Sequence, residues 1–418
     1  MSGLAALAPF RTRSFRFQWP ADLFTAWALE METLILGWFV LVETGSVLLL
    51  TVFGSLQFVG TLISPMLGVL ADRVGLRNVL CVMRFFYAAF AGTLLVMAMS
   101  GKLEPAPVFI VAALSGLLKP SDIGMRSALV GATVPSAYVV AAMGISRTTQ
   151  DTARVAGALA GAGLIAAYGM APAFAVITGV YLIGALLTLL VDARPGARPI
   201  AVPGAAPVVR PSPWRDLSEG LAYVWNTPRL RAAMSLAALV NLTAFPLTGA
   251  LMPYIARDVF RLEQKGLGLL VASFATGSFI GSVSLSLLGG RVQPARMMLA
   301  AAITWYLALI GFVLADSVGL AMALLLVAGI SQSLSMVTLA IMLIRTSDER
   351  FRGRIMGVRM LAIYTLPIGL LAAGWLIPQI GYRATALGLV IAGLLLTLEI
   401  AVSWRRDLIR ADAAANAR

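Results

Sequence analysis

Apolar stretches of about 20 residues, the length that crosses a bilayer, follow one another along the whole chain. Short polar gaps separate them, and those gaps hold most of the arginines. The first six stretches cover residues 21–42, 47–70, 79–99, 107–128, 138–167 and 172–191. A Pro/Gly/Arg-rich stretch at 192–213 and an amphipathic piece at 214–225 follow. Six more apolar stretches cover 230–255, 267–288, 296–314, 318–344, 355–377 and 384–404. Lipid offers no partner to a backbone amide, so only helices and closed barrels span it, and these runs are too long for barrel strands. The pattern predicts an all-α polytopic membrane protein with twelve transmembrane helices in two six-helix bundles. The expected organisation is a tail at 1–20, a bundle at 21–191, a basic linker with its amphipathic segment at 192–228, a second bundle at 229–404 and a tail at 405–418.

The arginines orient this arrangement. With the amino terminus inside, the inner loops hold Arg73, Arg77, Arg126, the 194–231 cluster, Arg291, Arg296 and the 345–354 cluster. The outer loops hold only Lys102, Arg257, Arg261, Lys265 and Arg383. Positive residues stay on the cytoplasmic side, so both termini are expected there, in a cytoplasmic (inner) membrane.

Composition narrows the function. Hydrophobic residues make up 60% of the 418 positions and charged residues 12%, and the formal net charge is +13. That charge reads as a topology signal rather than a nucleic-acid surface. The chain has no histidine and one cysteine, Cys81, so no metal site, cofactor or internal disulfide is expected. No phosphate-binding Gly-rich loop with its lysine is present, so ATP is not the direct energy source, and no enzyme signature appears.

The two halves show weak self-similarity. Asp72-Arg73-Val74-Gly75-Leu76-Arg77 follows the second stretch, and Gly290-Arg291-Val292-Gln293-Pro294-Ala295-Arg296 follows the eighth. Parallel repeats of this size place a substrate site between the halves near the membrane midplane. The segment from Gly68 through Asp72, Arg73 and Gly75 to Arg77 resembles the signature loop of the major facilitator superfamily. Glu43-Thr44-Gly45-Ser46, the run from Arg154 through Gly157 to Gly161, and Arg352-Gly353-Arg354-Ile355-Met356-Gly357 resemble its drug and siderophore exporter branch, of the enterobactin-exporter and macrolide-efflux type. The resemblance implies the major facilitator fold. It also implies a gate on the cytoplasmic side, with Asp72 near the eleventh helix and the loop base Arg77 pairing the fourth-helix acid Asp122. Arg73 and Arg126 flank this set. One departure stands out: the fifth-helix antiporter signature has Gly-Pro where this chain has Gly157-Ala158.

Charges inside the apolar stretches mark the candidate chemistry. Each costs roughly 2.5–3.5 kcal/mol at the bilayer centre, so it must face a cavity or a partner, or be protonated. The first stretch holds Asp22, Glu30 and Glu32. At 100° per residue, Glu30 lies about 80° from Asp22 and about 160° from Glu32, so the three do not share one environment. They are the mid-membrane acids of the first half without a basic neighbour one turn away on their own helix. Glu30 is therefore expected to carry an exchanged proton, tuned by Glu32 or Asp22. In the fifth stretch Arg147, Asp151 and Arg154 share a face at i, i+4, i+7, with Gln150 beside them. They read as a structural pair with one spare cation, or as an anion site. Lys119 and Arg126 lie one turn either side of Asp122 and complete a local charge network. Trp27, Asn241, Phe245, Gln332 and Tyr364 are candidate cavity-lining residues. Pro246, Pro253 and Pro367 mark helices that can bend.

The reading is a monomeric secondary transporter that exports amphipathic or drug-like small molecules by alternating access, driven by protons. Its partners are the small-molecule substrate, protons and membrane lipid. The alternatives are export of an anionic metabolite such as a siderophore through Arg147 and Arg154, and a non-transporting receptor or a lipid flippase or scramblase.

Overall fold

The structure, a computed structural model, describes residues 7–61, 64–192, 213–288, 293–348 and 351–405. Among these, every regular element is helical. The main helices in chain order are α1 (Arg13–Thr44), α2 (Val47–Leu56), α3 (Ser64–Val74), α4 (Leu76–Met99), α5 (Pro105–Thr133), α6 (Ser136–Tyr168), α7 (Met170–Leu189), α8 (Pro213–Asn226), α9 (Pro228–Thr243), α10 (Gln264–Leu288), α11 (Pro294–Leu314), α12 (Val318–Thr346), α13 (Arg352–Ile363), α14 (Thr365–Ile380) and α15 (Tyr382–Ser403). Nine spans among the described residues are long and apolar enough to cross a membrane. Three of the twelve expected stretches fall outside those nine. The fifth forms one long helix, α6, but carries Arg147, Asp151 and Arg154. The second and seventh are broken.

Each break has a local cause. The second stretch ends α2 at Leu56, turns through Val59–Thr61 and resumes as α3. Here α5 crosses the chain backbone to backbone: a β-carbon on Gly116 would lie 2.9 Å from Gln57 Cα, and one on Gly60 would collide with the Leu117 carbonyl. In the seventh stretch Pro246 and Pro253 each remove a helical N–H and crowd the carbonyl four residues earlier. After α9 the chain continues as the short turns Phe245–Thr248 and Met252–Tyr254 and a π turn, Ile255–Val259. The eleventh stretch breaks at Tyr364, next to Ile363, whose carbonyl Pro367 would crowd.

The first helix starts earlier than the expected tail boundary at residue 20. Arg13 to Pro20 belong to α1. Phe15 packs in a cluster with Val130, Val134 and Ala142. Gln18 donates to the Arg126 carbonyl at 3.0 Å, and Trp19 Nε1 donates to Thr149 Oγ1 at 2.8 Å. This apolar and hydrogen-bonded seat makes the segment part of the bundle. Residues 193–212 of the expected linker at 192–228, Arg291 and the tail from residue 406 lie outside the described residues.

The chain divides into two compact units: Met1–Leu49, Leu56–Ala205 and Arg261–Ala272 form one, and Leu50–Ser55, Ala206–Phe260 and Ser273–Arg418 form the other. The exchanged pieces follow close packing. In the second unit Gly374 receives Thr51, and Ser55 Oγ donates to the Pro367 carbonyl at 3.5 Å. In the first, a β-carbon on Gly268 would lie 3.2 Å from the Ala158 carbonyl.

In the first unit α1 packs on α6 and α7, and α4 packs on α7. In the second, α11 packs on α12, and α9 on α13, α14 and α15. The amphipathic piece forms α8 and docks on the start of α13. Tyr223 stacks flat on Phe351, with centroids 4.4 Å apart, and Glu219 bridges Arg215 and Arg354 at 2.9 Å each. The ion pairs are part-exposed and contribute little, about 0.2–1 kcal/mol, so the ring stack and the seat of Gly220 against Arg354 and Val358 decide the docking. Tyr223→Ala should cost about 0.5–1.5 kcal/mol locally and speed proteolytic cleavage within 213–226. Glu219→Gln should leave the cleavage rate near wild type.

Candidate functional site

The acids of α1 point in two directions. Asp22 and Glu32 face α4 and α7, while Glu30 faces α6. Asp22 is buried and forms an ion pair with Arg84 of α4, whose guanidinium also donates to Thr188 of α7. Arg84 is 1% exposed. Glu32 is 3% exposed and accepts a hydrogen bond from the Tyr181 hydroxyl of α7 at 2.5 Å. Tyr181 lies against Tyr87 of α4, with centroids 5.6 Å apart. Two buried polar clusters thus lie along α1, Asp22–Arg84–Thr188 and Glu32–Tyr181, with the Tyr87 ring against Tyr181. Small and aromatic residues of α4 and α7 are buried here, among them Tyr87, Ala88, Ala91, Phe174 and Tyr181, and Gly184 lets α7 approach Ala21 and Thr25 of α1.

Glu30 sits on the opposite side of α1, where α6 comes closest. Gly157 faces it: a β-carbon there would lie 2.7 Å from Glu30 Cβ. Arg154, one turn earlier on α6, pairs with Glu30 at 3.5 Å, and the two side chains are 47% and 38% exposed. Arg147 pairs with the buried Asp151 at 3.4 Å. Both arginines of this face therefore have an acid, one from their own helix and one from α1. Gln150 lines a space of about 10 Å³ with Asp22, Arg126, Ser146 and Thr149. Trp27 lines a larger cavity of about 630 Å³ with Trp19, Leu23, Ile145, Thr148 and Thr152.

Two expected pairings take another form. Asp122 is fully buried and is held by Arg126 of its own helix. Arg77 turns away: it donates to the Val191 carbonyl at 3.2 Å and to Asn78 Oδ1 at 3.2 Å. Its position at the start of α4 brings it to the carbonyl end of α7, where a cation is favoured. Lys119 does not join Asp122 either. Its ammonium donates to Gln57 Oε1 at 2.9 Å and to Thr33 Oγ1 at 3.3 Å, because the break after α2 places Gln57 against this face of α5. Arg73 is exposed at the end of α3, and the Asp72 side chain lies outside the described residues. Gly75 has φ +98°, which only glycine adopts without strain, and this turn separates α3 from α4.

The remaining candidates belong to the second unit and have local partners. Gln332 accepts from Ser278 Oγ at 3.0 Å. Asn241 donates to the Ala237 carbonyl of its own helix at 2.8 Å. Phe245 meets Trp305 edge to face at 5.1 Å. Tyr364 marks the break between α13 and α14.

The residues that sequence reasoning missed are Arg84, Tyr87, Tyr181 and Thr188. Arg84 carries a readable signal, a guanidinium inside an apolar stretch. The tyrosines and Thr188 carry none, since neutral side chains of this size are ordinary in such helices.

Comparison with known proteins agrees with this architecture. A family model described as "Transmembrane secretion effector" matches residues 4–418. The multidrug efflux pump Tap of Mycolicibacterium fortuitum is 30% identical over 183 residues, 43% of this chain and 43% of that protein. Tap of Mycobacterium tuberculosis is 28% identical over 176 residues, 42% of each chain. These matches span less than half the length of the relatives. The nucleoside transporter NupG has a TM-score of 0.71 at 13% identity, covering 93% of this chain and 98% of that one. A bacterial homologue of the iron transporter ferroportin, in an inward-facing state, has a TM-score of 0.70 at 17% identity, covering 94% and 99%. At such identities the likeness establishes the fold alone, an all-helical multi-pass membrane fold. The family match extends over nearly the whole sequence, and the chain therefore belongs to the transmembrane secretion effector family of the major facilitator superfamily.

Proposed function

We propose that this protein exports amphipathic or drug-like small molecules across a cytoplasmic membrane by alternating access, driven by inward proton flow, with both termini cytoplasmic. The observation that carries the reading is the set of acids on α1, buried or half-buried in an apolar bundle, in a chain whose partial relatives are multidrug efflux pumps. Each proton entering supplies about 2.3 kcal/mol per 100 mV, and a carboxyl group is the available carrier in a chain without histidine. The aromatic cavity beside Trp27 supports an apolar ligand. Pairing of Arg147 and Arg154 with acids weighs against the anionic-metabolite alternative, since neither guanidinium is left uncompensated. Gating is proposed for the loop residues Asp72, Arg73 and Arg77, while Asp122 and Arg126 pair with each other on α5.

The test is transport by the purified protein in liposomes. With an imposed pH gradient, a lipophilic cation such as ethidium should move against its own gradient, and collapsing the pH gradient should stop it. Accumulation of an anionic siderophore in place of ethidium would favour the alternative. Lipid scrambling without flux of either would favour the lipid-handling reading. Reporter fusions at both termini should score cytoplasmic.

A further inference from the structure

The charged pairs inside the first unit differ in how easily they can change protonation. Asp22 pairs with Arg84, Asp122 with Arg126, Asp151 with Arg147, and Glu30 with Arg154. In every case the cation is a guanidinium, which does not give up its proton. Protonating Asp22 or Asp122 would strand a buried arginine, which is strongly unfavourable, whereas Arg147 and Arg154 are half-exposed and water can take over part of their pairing. Among the described residues, the buried Glu32 and the part-buried Lys119 are ionisable groups of these helices that stand outside this scheme. Glu32 is held by a neutral phenol, the Tyr181 hydroxyl. Lys119 is held by neutral oxygens, those of Gln57 and Thr33. Lys119 reaches α1 from α5 at Thr33, the residue after Glu32, where its ammonium donates to Thr33 Oγ1 at 3.3 Å.

We propose that Glu32 is the acid of α1 that takes up and releases the coupling proton, that Lys119 is the positioning cation that balances its charge, and that Glu30 is one half of a structural pair with Arg154. This assignment rests on the proton-driven export proposed above and says which side chain performs it. The proton adds to the Glu32 oxygen that Tyr181 does not occupy, forming one O–H bond, and the same bond breaks on release. Tyr181 keeps its phenolic proton throughout, and no other bond changes. Protonated Glu32 leaves Lys119 as the uncompensated cation, and a lysine tolerates that change better than an arginine because its ammonium can itself lose a proton. The charged and titratable groups facing Glu32 are Lys119 from α5, Tyr181 from α7 and Tyr87 from α4. From α6 the contact beside it is apolar, Gly161 against Met31, and Arg154 of that helix is engaged by Glu30.

The experiment is pH-gradient-driven ethidium accumulation in proteoliposomes, run on the wild type and on Glu32→Gln, Glu30→Gln, Lys119→Gln and Tyr181→Phe. Elution profile and thermal melting serve as folding controls. Glu32→Gln should lose accumulation down to the level of empty liposomes, while Glu30→Gln should keep the gradient response. Lys119→Gln should move the midpoint of the pH profile to higher pH by roughly 1 unit, because losing a nearby cation favours the protonated carboxyl. Tyr181→Phe should move it in the same direction, since the phenol stabilises the carboxylate by donating to it. A folded Glu32→Gln protein with a wild-type gradient response overturns the assignment. So do unchanged pH profiles in both Lys119→Gln and Tyr181→Phe, a readout that remains if Glu32→Gln fails to fold. A wild-type protein that moves ethidium without any gradient response removes the coupling reading itself, and this assignment with it. That failure is distinct because the variants then match the wild type.

Discussion

Arg84→Met should destabilise the protein by about 3–5 kcal/mol, because it leaves the buried Asp22 carboxylate without its cation. The guanidinium joins three helices: it pairs with Asp22 on α1, donates to Thr188 on α7 and stands on α4. Methionine fills similar volume and removes the charge without opening a large cavity. Neutralising both partners should be gentler. The double variant Asp22→Asn/Arg84→Met should recover a coupling of about 0.5–3 kcal/mol relative to the sum of the single changes. Thermal melting of the detergent-solubilised protein, followed by intrinsic fluorescence, measures all three. Equal loss in the double variant and in the sum would show that the pair contributes no coupling.

Gly157→Ala should cost about 1–3 kcal/mol and weaken transport, although it adds a single methyl group. That methyl would lie 2.7 Å from Glu30 Cβ and 3.3 Å from the Trp27 carbonyl, so α1 and α6 must separate. The wall of the Trp27 cavity, built from α1 and α6, depends on this approach. Gly163→Ala on the same helix is the control. Nothing lies within 4 Å of a β-carbon there, so stability should hold or rise slightly with the better helix former. Melting temperature and ethidium flux for the two variants separate packing at the crossing from a general effect of replacing glycine in α6. The position also bears on the departure from the antiporter signature: Ala158 stands where proline is usual, and α6 is continuous through it from Ser136 to Tyr168.

Much of the architecture was legible along the chain. Apolar runs of spanning length marked the helices because lipid forces each segment to satisfy its own backbone, which is a local requirement. The breaks near Pro246 and Pro367 were legible for the same reason, since proline acts on its own helix. The break after α2 was not. It depends on Gly116 of α5 meeting Leu56 and Gln57, and a glycine some 60 positions away gives no local sign of that.

The candidate site divides in the same way. The angular separation of Glu30 from Asp22 and Glu32 follows from helical periodicity alone, and the structure places them on different neighbours. The pairs Asp122–Arg126 and Arg147–Asp151 also lie within one helix at i, i+4, where the sequence spacing decides the contact. The sequence by itself therefore determined the helical membrane class, the family and the pairs Asp122–Arg126 and Arg147–Asp151, but not that Lys119 leaves Asp122 for Gln57 and Thr33. Tertiary structure alone decided that Asp22 has Arg84, that Glu30 has Arg154, and that Glu32 and Lys119 are left with neutral partners. The physical reason is range: backbone satisfaction and helical periodicity act over a few residues, whereas the partner of a buried charge is chosen by which helices pack together, and that depends on small residues far apart in the chain.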